Sequence, residues 1–137
     1  MVFRDMHAEK ITAELDHLAI HVRNLQASTQ FYQNVLGLQI IPDPFQDGRH
    51  IWLHVGVHQQ LHLISGAQKT TGEDMQVHMA FRVRSVDEFV RRLSDLQVTF
   101  VNLKGEAGQI ATRPDGIKQV YLQDPDGYWI EVNEAEY

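Results

Sequence analysis

The 137-residue sequence contains no cysteine. Disulfide bonds, thiolate metal sites and thiol nucleophiles are therefore excluded, and a reducing cytoplasm is the simplest compartment to expect. No apolar run approaches the length of a membrane span, and residues 1–16, MVFRDMHAEKITAELD, interrupt their apolar positions with charges, so we expect neither a membrane partner nor an export signal. The formal net charge of −6 provides no basic surface for a phosphate backbone, so nucleic acid is not an expected partner.

The sequence is comparatively rich in histidine, with eight residues, and it contains an internal repeat. The stretch HLAIHVRNL at 17–25 aligns without a gap with HMAFRVRSV at 78–86. The stretch IWLHVGVHQQLHL at 51–63 likewise aligns with VYLQDPDGYWIEV at 120–132, which places His62 on Glu131. This pattern indicates a duplicated unit of about 60 residues. We predict one domain over residues 1–137, with a first module at about 14–65, a linker at 66–76 and a second module at about 77–134.

Each half is predicted to form a strand, a helix and then two or three strands, which gives an α+β fold. Ser85 followed by Glu88 is a capping box, and Val86, Phe89, Val90, Leu93 and Leu96 repeat at helical spacing in the second half. In the first half we predict a helix from about Ser28 to Leu36 that ends at Gly37. Residues 39–48 and 102–116, rich in Pro, Gly and Asp, are predicted to be loops.

Alternation along the strands assigns the histidines to one face of the sheet. In the first strand Leu18, Ile20 and Val22 are predicted to pack under the helix, which leaves His17 on the opposite face. The same parity applies in the three corresponding strands. The predicted polar face then carries His17, His62, His78 and Glu131, together with Trp52, His54, Gln60, Tyr121, Gln123 and Trp129.

Repeat symmetry predicts how four of these residues come together. If the modules pair about a two-fold axis, His17 meets its counterpart His78, and His62 meets its counterpart Glu131. Three imidazoles and a carboxylate suit one divalent first-row metal, Zn, Ni, Co, Mn or Fe, rather than Ca or Mg. The sequence leaves open whether these residues meet within one chain or across an interface. His50 and His58 have no such symmetry and are predicted to lie on the surface.

Three stretches, LDHLAIHVRNLQASTQFYQNVLGLQI, HMAFRVRSVDEFVRRL and QVYLQDPDGYWIEVNE, resemble the vicinal oxygen chelate superfamily, which includes glyoxalase I, extradiol dioxygenases and bleomycin-resistance proteins. The resemblance covers roughly residues 14–134. It implies two tandem βαβββ modules that form a curled mixed sheet around a metal-binding cavity, with metal ligands at His17, His78 and Glu131. At His62 the sequence departs from glyoxalase I, which has a further Glu there, so His62 is expected to be a ligand, a second base or a hydrogen-bonding group.

The resemblance implies three functions. The segment QDPDGYWIE at 123–131 is most similar to glyoxalase I, which implies a lyase or isomerase that stabilises an enolate of a small, vicinally oxygenated substrate, with Glu131 and His62 as catalytic residues. The first alternative is an extradiol-type Fe(II) dioxygenase, with His21, His54 and Tyr121 as acid-base groups in the pocket. The third implied function is that of a non-catalytic protein that binds a small molecule such as a drug.

For five further residues the sequence supports two interpretations, either a contact with the substrate or an ordinary role on the surface or in packing. Arg49 and Arg113 precede the repeated central strands, where each could hold a substrate carboxylate or simply be a solvated loop charge. Trp52, Tyr121 and Trp129 could form walls of the pocket or pack on the sheet. Small members of the superfamily commonly form dimers, so a small-molecule substrate and a second copy of the chain are the expected partners.

Overall fold

The computed structural model describes residues 10–136, and the prediction about an export signal falls largely outside them. Two modules with the same element order follow each other along the chain. The first contains β1 His17–Val22, α1 Leu25–Asn34, β2 Gln39–Ile41, β3 His50–Val55 and β4 Gln59–Ser65. The second contains β5 His78–Arg82, α2 Val86–Asp95, β6 Ala111–Thr112, β7 Lys118–Gln123 and β8 Trp129–Asn133. The predicted α+β fold with tandem βαβββ modules is confirmed.

Each module forms its own four-stranded mixed sheet. The strand orders are β1-β4-β3-β2 and β5-β8-β7-β6, so the first strand of each module lies at a sheet edge and pairs in parallel with the last. The register repeats as well: Ala19 pairs with His62 in the first sheet, and Ala80 pairs with Glu131 in the second. A small side chain therefore lies beside each of these two polar residues, and leaves room next to them.

Local sequence determines where the helices begin. The Ser85 hydroxyl accepts a 3.2 Å hydrogen bond from the Glu88 N–H, as the capping box predicts. In the first module Asn24 is the cap and accepts from the Ala27 N–H at 3.0 Å, so α1 begins at Leu25, three residues earlier than predicted. Asparagine is as good a cap as serine, so Asn24 is also a signal for the start of a helix.

The core lies between each helix and the inner face of its sheet. The apolar strand positions predicted to face the helices are buried at Ile20 and Val22, but Leu18 is 42% exposed. Leu18 lies on the wall of an open cavity with Val55 of β3 and Phe81 of β5, which leaves part of its side chain accessible. The fully buried apolar side chains are Val22, Tyr32, Leu53, Leu61, Leu63, Val86, Leu93, Leu122, Val120, Ile130 and Val132.

Two short strands were predicted to be loops. β2 occupies Gln39–Ile41 within the segment 39–48, and β6 occupies Ala111–Thr112 within the segment 102–116. Both lie at sheet edges, where a strand of two or three residues leaves no readable alternation in the sequence. Within residues 10–136, no helix has the length and apolar character needed to cross a bilayer.

The turn before β8 joins the two modules. The Asp126 carboxylate accepts hydrogen bonds from the Arg23 backbone N–H, the Arg23 Nε and the Ser28 hydroxyl of the first module, at 2.9, 3.0 and 3.2 Å. The Tyr128 hydroxyl contacts both the N–H and the carbonyl of His21 at the exposed edge of β1. The DPDG sequence therefore forms a tight turn, as expected, and it also fixes the start of β8 against the end of β1.

Candidate metal centre

In the first module, three rings of the polar face form one column. His62 lies between Trp52 and His17, with ring centroids 4.0 and 4.1 Å apart and interplanar angles of 3° and 14°. Trp52 is the register partner of His62, and the two neighbouring strands therefore place these rings face to face. His17 and His62 are called the module-1 pair below.

Hydrogen bonds determine which ring nitrogens of the module-1 pair carry a lone pair. The His17 Nδ1 donates to Asp16 at 2.7 Å, which leaves its Nε2 as the acceptor. The His62 Nε2 donates to the side-chain amide oxygen Oε1 of Gln60 at 2.8 Å, which leaves its Nδ1 as the acceptor. Burial, followed by the nearby His17, lowers the pKa of His62, so the neutral ring that a metal requires is favoured.

In the second module, His78 and Glu131 form the module-2 pair. The His78 Nε2 lies 3.5 Å from the Glu131 Oε1, and the His78 Nδ1 donates to the Met75 carbonyl at 2.8 Å. Two atoms bound to one tetrahedral ion at about 2.1 Å lie roughly 3.4 Å apart. The separation of the pair and the orienting bond on the far ring nitrogen both fit two ligands of one first-row metal.

Both oxygens of Glu131 have protein donors. Oε1 accepts from the Tyr121 hydroxyl at 2.8 Å, and Oε2 accepts from the Asn133 amide at 2.7 Å. Burial and the bond to Glu131 raise the pKa of Tyr121 to about 12. Tyr121 therefore remains a neutral donor at physiological pH.

The two pairs do not form one cluster within a chain. Among residues 10–136, the single group of three or more histidine or acidic side chains whose ligand atoms all lie within 4.8 Å of one another is Asp43, Asp47 and His50. Turn geometry accounts for much of that group, because Asp43 accepts from the Phe45 N–H and Asp47 accepts from both the Arg49 N–H and the His50 ring. The ligand atoms of the two pairs are therefore not all within 4.8 Å of one another in a single chain, and a shared four-ligand site stays a prediction.

A cavity of about 490 Å³ opens beside the module-1 pair. His50 lines it and stacks on Phe45, with centroids 4.6 Å apart, so His50 is part of the site's surroundings rather than a plain surface residue. The Trp52 indole N–H is buried without a hydrogen-bond partner. His50 is the first residue of β3, and its counterpart in the repeat is Gln119 of β7, so repeat symmetry gave no reason to expect His50 at the site.

The other residues predicted to bind substrate lie in different places. The Trp129 indole donates to the Gly72 carbonyl of the linker at 2.8 Å, and the His54 Nε2 contacts the Val57 carbonyl in the β3–β4 turn at 3.3 Å. Arg113 pairs with Asp115 at 2.6 Å, and Arg49 is exposed. Of the aromatic residues, Trp52 contacts the module-1 pair and Tyr121 contacts the module-2 pair. These roles in substrate binding stay predictions.

Four supporting residues were not predicted to contact the ligands: Asp16, Gln60, Met75 and Asn133. Parity places Gln60 on the predicted polar face, although its contact with His62 was not predicted, and Asn133 lies two residues from Glu131 on the same face, so parity could have identified it as well. Asp16 precedes β1, and Met75 contributes a backbone carbonyl, which no side-chain pattern reveals.

The fold defines a class of proteins with tandem βαβββ modules, and sequence comparison agrees. Residues 14–132 match the Glyoxalase/Bleomycin resistance protein/Dioxygenase superfamily, and the chain belongs to it. The Arabidopsis thaliana protein "Glyoxylase I 4" is 27% identical over 128 residues, covering 86% of this chain and 68% of that protein. The Bacillus subtilis (strain 168) protein "Uncharacterized protein YwbC" is 27% identical over 123 residues, covering 85% and 94% respectively. The solved structure "Oxidase ChaP-H1" is 28% identical, has a TM-score of 0.74 and covers 92% of this chain and 98% of its own.

Proposed function

We propose that this chain is a divalent-metal-dependent lyase or isomerase of the glyoxalase type, acting on a small substrate with neighbouring oxygens. The observation that carries the proposal is the 3.5 Å approach of the His78 Nε2 and the Glu131 Oε1, with the far nitrogen of His78 already oriented by a carbonyl. Superfamily membership and the relative named Glyoxylase I 4 support the same reaction class.

The four residues of the two pairs would hold the ion. His17 would bind through Nε2 and His62 through Nδ1, because their other nitrogens are engaged by Asp16 and Gln60. A bound divalent cation would supply Lewis-acid polarisation of the substrate oxygens. Glu131 would take a proton from one substrate carbon and return it to the neighbouring carbon, a role that typically contributes about 10² to 10⁴ in rate. If His62 is not a ligand, its Nδ1 lone pair would instead make it a second base.

A homodimer would complete the site. Each chain has one pair on each module and, among its described residues, no cluster that joins them. A second copy could place its module-2 pair opposite the module-1 pair of the first, which would give two equivalent sites. The partner chain would then contribute ligands to each site.

The direct test is turnover. Protein loaded separately with zinc, nickel, cobalt or manganese is assayed for isomerisation of the adduct of methylglyoxal and glutathione. We expect turnover with at least one metal, and a loss in kcat/KM of about 10² to 10⁴ in Glu131→Gln. His58→Ala, which changes an exposed histidine in the β3–β4 turn, is the matched control and should retain activity. Wild-type protein inactive with all four metals would contradict the glyoxalase assignment.

One observation favours a second function, an extradiol-type Fe(II) dioxygenase. The cavity beside the module-1 pair has aromatic walls, because Phe45, Trp52 and His50 line it together. Flat aromatic substrates pack well against such walls. Oxygen uptake that depends on both iron and catechol, measured on protein loaded anaerobically, would support this function over the first.

A further inference from the structure

The Glu131 carboxylate is anchored by two side chains of its own module. The Tyr121 hydroxyl, directly opposite on β7, donates to Oε1, and the Asn133 amide, two residues along β8 on the same face, donates to Oε2. Tyr121 is 3% and Asn133 is 8% exposed. Both donors are therefore shielded from water that would compete for the carboxylate.

The first module supports His62, the counterpart of Glu131, with a different set of groups. The position of Tyr121 is occupied by Trp52, which offers a ring face instead of a hydroxyl donor. The position of Asn133 is occupied by Ile64. The carboxylate of Glu131 is therefore surrounded by hydrogen-bond donors, whereas the imidazole of His62 lies against a ring face. The supporting residues thus differ in step with the residue they contact.

We propose that Asn133 and Tyr121 are positioning residues that fix the Glu131 carboxylate toward His78 for metal binding. This inference rests on the proposed metal centre. Each anchored oxygen keeps a further lone pair, and Oε1, anchored by Tyr121, is the oxygen that faces the His78 Nε2. Because these hydrogen bonds already hold the carboxylate in place, less conformational freedom is lost when the ion binds. The affinity of the site for the metal is therefore higher.

A purely structural role for Asn133 predicts a different result. The Asn133 Oδ1 also accepts from the Ala135 N–H at 3.1 Å, so the residue helps to hold the end of β8. If this were its whole contribution, substitution would lower stability without changing how the metal is bound. The test therefore measures metal binding and apoprotein stability separately.

The variants are Asn133→Ala and Tyr121→Phe, the second of which removes a single hydroxyl and so remains informative if the first does not fold. We expect the zinc dissociation constant, measured by competition with a chromophoric chelator, to rise about 10- to 100-fold in each. The visible absorption of the cobalt-substituted protein should shift as well. Asn102→Ala is the matched control: its amide also donates to a carboxylate, Glu106 at 3.1 Å, but in an exposed loop, so zinc affinity should not change.

A double-mutant cycle tests whether the effect passes through Glu131. In a Glu131→Gln background, Asn133→Ala should cause no further loss of zinc affinity. If Glu131→Gln weakens zinc binding while Tyr121→Phe and Asn133→Ala do not, the positioning role is wrong and the proposed metal centre stands. If Glu131→Gln itself leaves zinc affinity unchanged, the metal centre is wrong, and the positioning role with it.

Discussion

The Arg23 guanidinium at the end of β1 lies 3.0 Å from the Asp126 carboxylate at the start of the segment that leads into β8. The carboxylate is 2% exposed, and the pair joins the strand that carries His17 to the strand that carries Glu131. The geometry of the candidate site thus depends on a contact between the modules that contains none of the proposed ligands.

We expect Asp126→Ala to lower the free energy of unfolding by about 2 to 4 kcal/mol, because three donors lose a buried acceptor. Urea denaturation measures this loss. Arg84→Ala, which removes an exposed ion pair with Glu88, should cost about 0.2 to 1 kcal/mol. Equal losses in the two variants would mean that the pair between the modules adds no stability beyond that of a surface ion pair.

The linker packs so closely on the turn before β8 that a side chain cannot fit. A Cβ at Gly72 would lie 1.6 Å from the Gly127 carbonyl oxygen, whereas a Cβ at Gly105 would meet nothing within 4 Å. Both glycines have positive φ, +96° and +79°. Gly105→Ala should therefore lower the free energy of unfolding only through backbone strain, by about 1 to 2 kcal/mol. Gly72→Ala should lower it by at least twice as much, as measured by thermal denaturation. Similar losses would show that the linker can move aside.

The buried Asp124 should make stability depend on pH. Burial raises the pKa of Asp124, against the opposing hydrogen bonds from the Tyr32 hydroxyl and two backbone N–H groups. The pKa of Asp124 in the folded protein exceeds the unfolded value of about 3.9, so protonation of this carboxyl favours folding. Its contribution to stability is complete below about pH 3.9 and is lost as the pH rises through the folded pKa. Asp124→Asn should therefore gain in stability relative to wild type over this range.

Asp115→Asn provides the control of opposite sign for the Asp124 prediction. The Ile117 N–H and Arg113 lower the pKa of Asp115, which is exposed. The free energy of unfolding of the wild type should therefore increase relative to that of Asp115→Asn as the pH rises toward about 3.9. Above that pH the difference should level off. Urea denaturation at a series of pH values measures both variants, and the same sign in both would contradict the assigned causes.

Mixed dimers would establish where the proposed site assembles. One chain carries His17→Ala with His62→Ala, and the other carries His78→Ala with Glu131→Gln. A heterodimer purified with two affinity tags should bind half as much zinc as the wild-type dimer, because one of its two sites receives both intact pairs. Each mutant homodimer should bind little. A heterodimer with no more zinc than the mutant homodimers would indicate sites built within single chains.

Much of the architecture could be predicted from the repeat and from strand parity. The ungapped alignment of 51–63 with 120–132 anticipated that His62 and Glu131 occupy equivalent positions, and both have an alanine as neighbour in the register. The capping box at Ser85 predicted the start of α2 to the residue. These features depend on local sequence, where one residue and its near neighbours decide the outcome.

The rest depends on how the modules pack together. Leu18 follows the apolar parity and is still exposed, because it lines a cavity formed by residues of both modules, which local parity does not reveal. The anchoring of Glu131 by Asn133 could have been inferred from parity, but the support of His78 by the Met75 carbonyl could not, since it comes from the backbone. Whether the two pairs meet depends likewise on contacts between modules, within a chain or between chains, which strand parity does not reveal.

The unequal chemistry of the two pairs has an electrostatic consequence. The module-1 pair consists of two imidazoles, and the module-2 pair of one imidazole and one carboxylate, so the four residues together contribute a single negative charge. A set with two carboxylates would neutralise a dication fully, whereas this set leaves one positive unit unbalanced. A substrate suited to such a centre would gain or already carry a negative charge as it reacts, and replacing His62 by Glu would weaken that attraction.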